Sequence, residues 1–306
     1  MKQRLDQYVS SQKSPSSPYL RIIKGESGMY SHMFLEDFCA SFSIGLAPHP
    51  LNRDQDFYKI KPPEDLLRDL LLFEDYQFLE YNMDELLANI MQDLACFGKA
   101  YLEIVTWRDT EGVIQGISFA LIKPVVVFRG INRTLFVSVQ FNKALKLYHI
   151  ENKNLIVLRI KDLGYSRYSL RKLLRKINKY DFTNVGNMSL YPQKTGFDFK
   201  EYTRKSEFAL LKATRNVYWY GRDSRNQHMS ESYLLYRAAK FKMLRKEFLN
   251  YIIRQMNKGL QNYKNELGFN GELIADCADF NYMKEFDRLW SGEINTSQLS
   301  KLVFRI

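Results

Sequence analysis

The stretch Asp93-Leu-Ala-Cys-Phe-Gly-Lys-Ala-Tyr-Leu-Glu-Ile-Val-Thr-Trp-Arg-Asp-Thr-Glu-Gly112 decides the fold. Upstream of it, Met83, Leu86, Leu87, Ile90, Met91 and Leu94 recur at three- and four-residue spacings, which predicts an amphipathic helix opening at Asn82–Glu85. Gly98 falls where the end of such a helix needs a residue tolerant of positive φ. Ala100–Trp107 is rich in aromatic and β-branched residues and reads as a strand. Arg108–Val113 makes a polar turn, Ile114–Leu121 returns as a second strand, and Lys123-Pro124 breaks it before a third at Val125–Arg129. The unit is helix, glycine cap, hairpin, proline break, strand, with no catalytic residue standing out.

Outward from this unit the pattern is α+β. Further strands are expected at Leu135–Phe141, Ala144–Ile150 and Leu155–Ile160, forming an antiparallel meander in one sheet with the hairpin. Before it, Tyr30–Leu46 and Glu64–Phe73 read as helices, and Ser10–Pro18 as part of a flexible arm. After it come a basic helix at Tyr168–Tyr180 and a loop over residues 183–206. Phe208–Tyr220 follows, ambiguous between strand and helix and read as a strand ending in the turn Tyr220–Ser224. The longest helix spans roughly Ser232–Gly259, with a stripe of Leu234, Ala238, Phe241, Leu244, Phe248, Ile252 and Met256 and Gly259 as its C-cap. A strand at Glu272–Ala275, a helix at Tyr282–Ser291 and a last strand from Asn295 to Leu302–Phe304 complete the reading. The fold class is therefore α+β, an antiparallel or mixed sheet with flanking helices and one long helix near residues 232–258. Three regions are expected: an arm over 1–20, an α+β region over 21–165, and a helix-rich region over 166–306 with the long helix and a terminal strand. No repeat period is present, which excludes a solenoid.

Composition narrows the function classes. Forty-five basic against 34 acidic residues give a net charge of +11, which favours an anionic partner such as nucleic acid or an acidic protein surface. Cys39, Cys96 and Cys277 lie far apart with no zinc or disulfide spacing, so they read as reduced thiols. No leader-like apolar segment opens the chain and no apolar run approaches a membrane span, so an intracellular protein without signal peptide or transmembrane segment is expected. His32, His49, His149 and His228 are scattered without a second ligand at metal spacing, and no metal or other cofactor is expected. Glu36-Asp37 and Asp84-Glu85 are adjacent carboxylates, which diverge on a helix and read as solvated or helix-start residues. Glu103 follows a helix on a strand, as in two-metal nucleases, but Val105 stands where that motif needs a lysine. P-loop, GxGxxG and GxSxG motifs are absent, and no enzyme is indicated.

The strongest charge pattern lies in Arg167–Lys179. Leu170, Leu173, Leu174, Ile177 and Tyr180 share one arc of a helix, and Arg167, Arg171, Lys172, Arg175, Lys176 and Lys179 occupy the opposite side. Such a face can track a phosphate backbone, and a packed helix with a solvated outer face shows the same pattern. In the long helix, Arg237, Lys240, Lys242, Arg245 and Lys246 spread around much of the circumference and read mostly as solvation, with a channel-facing or subunit-facing role as the alternative.

Three segments, in order, resemble the portal proteins of tailed phages. Phe97-Gly-Lys-Ala-Tyr-Leu-Glu-Ile104 with Lys123-Pro-Val-Val-Val127 is similar to the wing region of that family. Tyr220-Gly-Arg-Asp-Ser224, leading into a long helix that carries Asn257-Lys-Gly259, resembles its step into a long helix. Phe286-Asp-Arg-Leu-Trp-Ser-Gly-Glu-Ile-Asn295 resembles its helix, Gly-x-x-Asn and short apolar strand. The resemblance covers roughly residues 82–306. Lys99 stands where asparagine is commoner, the usual Gly-x-Ser-Pro-Leu lacks its proline, and the chain is C-terminally short for the family. The resemblance implies a structural protein of the virion, present in the host cytoplasm during assembly. It implies a homo-oligomeric ring of about twelve subunits, closed by heterologous contacts. It further implies a channel that conducts double-stranded DNA and holds it weakly, with the packaging motor and tail or capsid proteins as partners and no membrane. The alternative is a basic nucleic-acid-binding protein or metal-dependent nuclease of a mobile element or defence system, in which Glu103 would hold the metal. A plain adaptor for an acidic protein is the third reading.

Overall fold

The computed structural model describes residues 8–13, 29–39, 58–62, 66–71, 79–139, 144–166, 169–185, 204, 208–219, 221, 230–275 and 281–304. The decisive stretch folds as its pattern predicts. Helix α3 (Leu79–Phe97) stops at Gly98, which takes φ +69° and donates its N–H to Leu94 O at 2.9 Å. Strand β3 (Lys99–Arg108) then pairs antiparallel with β4 (Ile114–Ile122). Asp109 organises the turn between them, accepting from the N–H groups of Glu111 and Val113 and from Gln115 Nε2 at 2.7–3.0 Å. The Gln115 contact and these backbone donors hold its carboxyl below the usual range, although partial desolvation works the other way.

The chain divides into two units. The first joins residues 1–22, 56–167 and 249–276; the second joins 23–55, 168–248 and 277–306. In the first unit, β3 is the central strand. On one side lies β4; on the other lie β8 (Leu155–Arg159) and β1 (Val9–Ser10), all antiparallel to it. The β1 segment belongs to the stretch read as a flexible arm. Instead it docks along β3, with Ser11 Oγ accepting from Thr106 N–H at 2.8 Å and Lys13 N–H donating to Glu103 Oε1 at 2.8 Å. Alternating Tyr8 and Val9 was too short a signal to reveal it.

The meander does not share one sheet with the hairpin. Strands β5 (Val126–Arg129), β6 (Arg133–Val139) and β7 (Leu145–Glu151) form a separate three-stranded sheet, and only β8 returns to β3. One face of the three-stranded sheet is buried through Phe136, Tyr148 and Ile150, which pack with Ile122. A further antiparallel pair joins β2 (Tyr58–Lys61) to β9 (Glu272–Ala275), with Tyr58 opposite Ala275 and Lys61 opposite Glu272.

The long helix, α5 (Glu231–Leu267), runs a further two turns beyond its expected end. Gly259 is not its cap. It lies buried inside the helix, and a Cβ there would stand 2.7 Å from Ile156 Cδ1 and 2.8 Å from Ile104 Cδ1. The helix passes so close to the sheet that only a hydrogen fits. Gly268, at φ +71°, is the residue that ends it, donating to Lys264 O at 2.9 Å. Three turns before, the Asn257 side chain pairs with Leu273 as a strand would, donating to its O at 2.7 Å and accepting from its N–H at 2.9 Å.

Tyr251 ties α5 to β8. Its hydroxyl accepts from Arg159 N–H at 2.9 Å and donates to Asp162 Oδ2 at 2.8 Å. Burial is the main cause that pushes this phenol up to about 12, and the facing Asp162 carboxylate adds to the rise against the Arg159 N–H. The raised value means that the folded state holds the proton more tightly than the unfolded chain does. The stabilisation is therefore fully present below pH 10 and is lost as pH climbs toward about 12. Denaturant midpoints measured from pH 8 upward should fall across that window, and Tyr251→Phe should flatten part of the fall. The same variant should lower stability at neutral pH by about 1–3 kcal/mol, because the Arg159 N–H is left without its acceptor.

The second unit is helical around aromatic contacts. Helix α1 (Met29–Cys39) packs against α4 (Ser169–Val185). Phe34 and Phe38 of α1 stack at 5.6 Å, Trp219 meets Phe34 edge-on at 5.5 Å, and Phe248 of α5 meets Phe38 at 5.1 Å. Residues 208–219 are a helical turn and tight turns rather than a strand: Leu210 and Leu211 are buried together with Val217 and Trp219, a spacing that a strand would split between two faces.

Helices α6 (Tyr282–Trp290) and α7 (Thr296–Phe304) close this unit over Leu235, Ala238 and Ala239 of α5. The expected terminal strand is α7. Asn295 and Gln298 cap it reciprocally: Asn295 Oδ1 accepts from Gln298 N–H, and Gln298 Oε1 from Asn295 N–H, each at 2.9 Å. Leu299 and Val303, four apart, then bury on one face. The loop expected at 183–206 is helical as far as Val185; residues 186–203 and the turn Tyr220–Ser224, apart from Gly221, lie outside the described residues. So do residues 40–46 of the expected first helix and 72–73 of the second.

Candidate nucleic-acid and assembly surfaces

In α4 the apolar arc is the packed side. Leu170, Leu173, Leu174 and Ile177 are buried, while Lys172, Arg175 and Lys176 are exposed and Arg171 is half-buried. Arg167 lies outside the described residues; Lys179 belongs to the helix, but its side chain and that of Tyr180 lie outside them. The structure thus brings Lys172, Arg175 and Lys176 to one exposed helix face.

The long helix differs from expectation. Arg237 and Arg245 are buried, not solvated, and flank buried Phe241 at four-residue spacing. Arg245 lies 5.9 Å over the Phe241 ring. Arg237 Nη2 donates to Trp219 O at 2.8 Å, Thr214 Oγ1 at 2.9 Å and Thr214 O at 3.2 Å, and Nη1 to Tyr233 Oη at 3.3 Å. Tyr218 and Tyr233 present their rings to the guanidinium at 6.0 and 5.9 Å. Among the described residues these partners are all neutral. The turn that Arg237 holds includes Tyr218 at φ +60°, an uncommon conformation for a tyrosine. The four-residue spacing of Arg237, Phe241 and Arg245 was the available signal, because it puts both cations on an apolar stripe. Lys242 reaches the Val303 carbonyl at the end of α7.

The carboxylates read as solvated divide. Glu36 pairs with exposed His32 at 3.0 Å, but Asp37 accepts from Trp219 Nε1 at 2.9 Å and Asp84 is buried. Glu103 is likewise buried, 2% exposed, with its carboxylate taken by the Lys13 N–H. Among the described residues no group of three or more His, Cys, Asp or Glu side chains is placed to hold a metal ion. No helix among them is long and apolar enough to cross a membrane.

No protein-family model matches the chain, and no curated protein matches it. Among solved structures, it is similar to a chain in the virion of a native gene transfer agent (GTA) particle, with a TM-score of 0.40 and 11% identity over 72% of this chain and 79% of that chain.

Proposed function

We propose that this protein is a portal-like structural protein whose copies assemble into a ring that conducts double-stranded DNA. The reading rests on the order of elements that carries the resemblance to tailed-phage portals. A helix capped by Gly98 enters the β3–β4 hairpin, a continuous 37-residue helix follows, and a shorter helix leads through Gly292 to the C-terminal element. The last element departs from the family pattern, being a helix where a strand is usual. At 1.5 Å per residue, α5 is about 55 Å long, the dimension of a wall element rather than of a small catalytic domain. The exposed cations of α4 supply a salt-sensitive, sequence-independent hold on phosphate, the kind a conducting channel needs. Packaging motor, capsid and tail proteins are the partners that go with this reading.

The test is the solution mass of the purified chain by mass photometry, followed by negative-stain imaging. Closed rings of about a dozen subunits are the expected result; a monomer or an open chain of copies would overturn the reading. DNA binding by the assembly should be weak and fall with salt. Changing Lys172, Arg175 and Lys176 to Gln should reduce the magnitude of the log–log salt slope by up to about 3.

A further inference from the structure

The three-stranded sheet buries one face and leaves the other apolar. Cross-strand register sets Val126, Val137 and Leu147 in one row and Phe128, Leu135 and His149 in the next, with Leu145 beyond. Of these, Val126, Phe128, Leu145 and Leu147 are 40–69% exposed. Polar alternation would have put charged side chains here, as antiparallel sheets with one solvated face ordinarily do.

Beside this face stands Ile131, 96% exposed at the tip of the β5–β6 hairpin. The tip is held in place. Asn152 Nδ2 donates to Gly130 O and Ile131 O at 3.1 and 2.7 Å, Thr134 Oγ1 donates to Asn152 Oδ1 at 2.8 Å, and Asn152 N–H donates to Asn132 O at 2.9 Å. A Cβ on Gly130 would stand 2.6 Å from Arg133 O, so the hairpin closes tightly as well. A side chain presented this way loses little conformational freedom when it is covered.

We propose that this face is where copies of the chain meet, each burying it against a neighbouring copy. The inference deepens the assembly reading by naming a contact surface. The five exposed side chains Val126, Phe128, Ile131, Leu145 and Leu147 offer on the order of 500 Å² of apolar area, more than half of the roughly 800 Å² per partner of a standard interface. A patch of that size on an isolated chain lies at the upper end of what monomers expose. Chemistry at the rim suits a copy that approaches through apolar contact. Glu151 offsets part of the charge at one corner, lying 3.7 Å from Arg133 and 3.2 Å from Lys153. Exposed Arg129 and Lys146 alternate onto the opposite face, opposite Thr134 and Ser138, and add no charge to this one. Self-association through this apolar face should therefore persist at high salt, whereas DNA binding falls as salt rises.

The experiment compares the full chain with a Phe128→Thr/Leu147→Thr double variant and with Ile131→Ser, by sedimentation velocity and mass photometry at low and high salt. Circular dichroism melts confirm folding, and all three positions are exposed. The expected result is association that persists at high salt in the unaltered chain and is at least tenfold weaker in both variants. Rings that persist unchanged in the variants overturn this surface and leave the ring reading standing. Pairs that never close into rings, but dissociate in the variants, support the surface and overturn the ring. An unaltered chain that stays monomeric at high salt overturns the surface. Binding of that monomer to phosphatidylserine vesicles, lost in both variants, would also overturn it and assign the face to lipid.

Discussion

Gly259→Leu should abolish or severely weaken folding of the first unit, with a loss of more than about 3 kcal/mol in denaturant titration. The glycine gives up about 1 kcal/mol of helix propensity relative to alanine, so its presence mid-helix needs a steric reason. That reason is the buried pair Ile104 and Ile156, whose methyl groups already stand within 3 Å of where a Cβ would lie. Even Gly259→Ala should be destabilising, because the overpacking cost of about 1–3 kcal/mol exceeds the propensity gained. Removing the Ile156 Cδ1 methyl opens part of the space. Ile156→Val should therefore lose less in the Gly259→Ala background than on its own, a coupling that a double-mutant cycle reads directly. Additive losses would show that the helix can shift away from the sheet, and that the close approach is not what selects glycine.

Arg237→Ala should cost about 2–5 kcal/mol through lost packing and hydrogen bonds. The substitution removes a buried guanidinium and its donors to the Thr214 and Trp219 carbonyl oxygens, which keep the Val217 and Tyr218 N–H groups and the Thr214 hydroxyl. Arg237→Lys should recover little, since a single ammonium cannot span Trp219 O and Tyr233 Oη from one position. Arg237→Met tests which cost dominates. If placing a cation in the core outweighs its hydrogen bonds, methionine will be tolerated far better than alanine. If the turn from Thr214 to Trp219 depends on the fork of donors, both will fail alike. Urea midpoints of the three variants, with tryptophan fluorescence reporting on Trp219, separate these outcomes.

These two residues also mark where the amino-acid pattern stopped being informative. The Gly98 cap, the β3–β4 hairpin, β9 and the buried stripe of α5 were legible because each rests on local spacing: one glycine at a helix end, period two, or period 3.6. The role of Gly259 was not, because a helix glycine near a plausible end looks the same whether it caps or makes room for a neighbour. Only the positions of Ile104 and Ile156, far away in the chain, distinguish the two. The splitting of the meander into two sheets is likewise a matter of which strands meet, which period-two alternation leaves open. For α7 a local signal did exist, the Asn295–Gln298 cap, and the apolar ending Leu302–Phe304 drew attention away from it. In the candidate site, the exposed Lys172, Arg175 and Lys176 followed from helical geometry. The burial of Arg237 did not: charged residues are seldom fully buried, and its four-residue spacing from Phe241 was outweighed by that expectation.

The pairing of β2 with β9 sets a schedule for biosynthesis. Tyr58 leaves the ribosome long before Ala275, its partner in the register. At roughly 5–20 residues per second, the first strand waits on the order of ten seconds or more with its edge unpaired. The first unit also takes Gly259, which packs on β3 and β8, from the same late segment. The early part of the sheet is therefore made well before the helix that covers it, and during that interval its apolar surface must be shielded by chaperones or by the nascent chain itself.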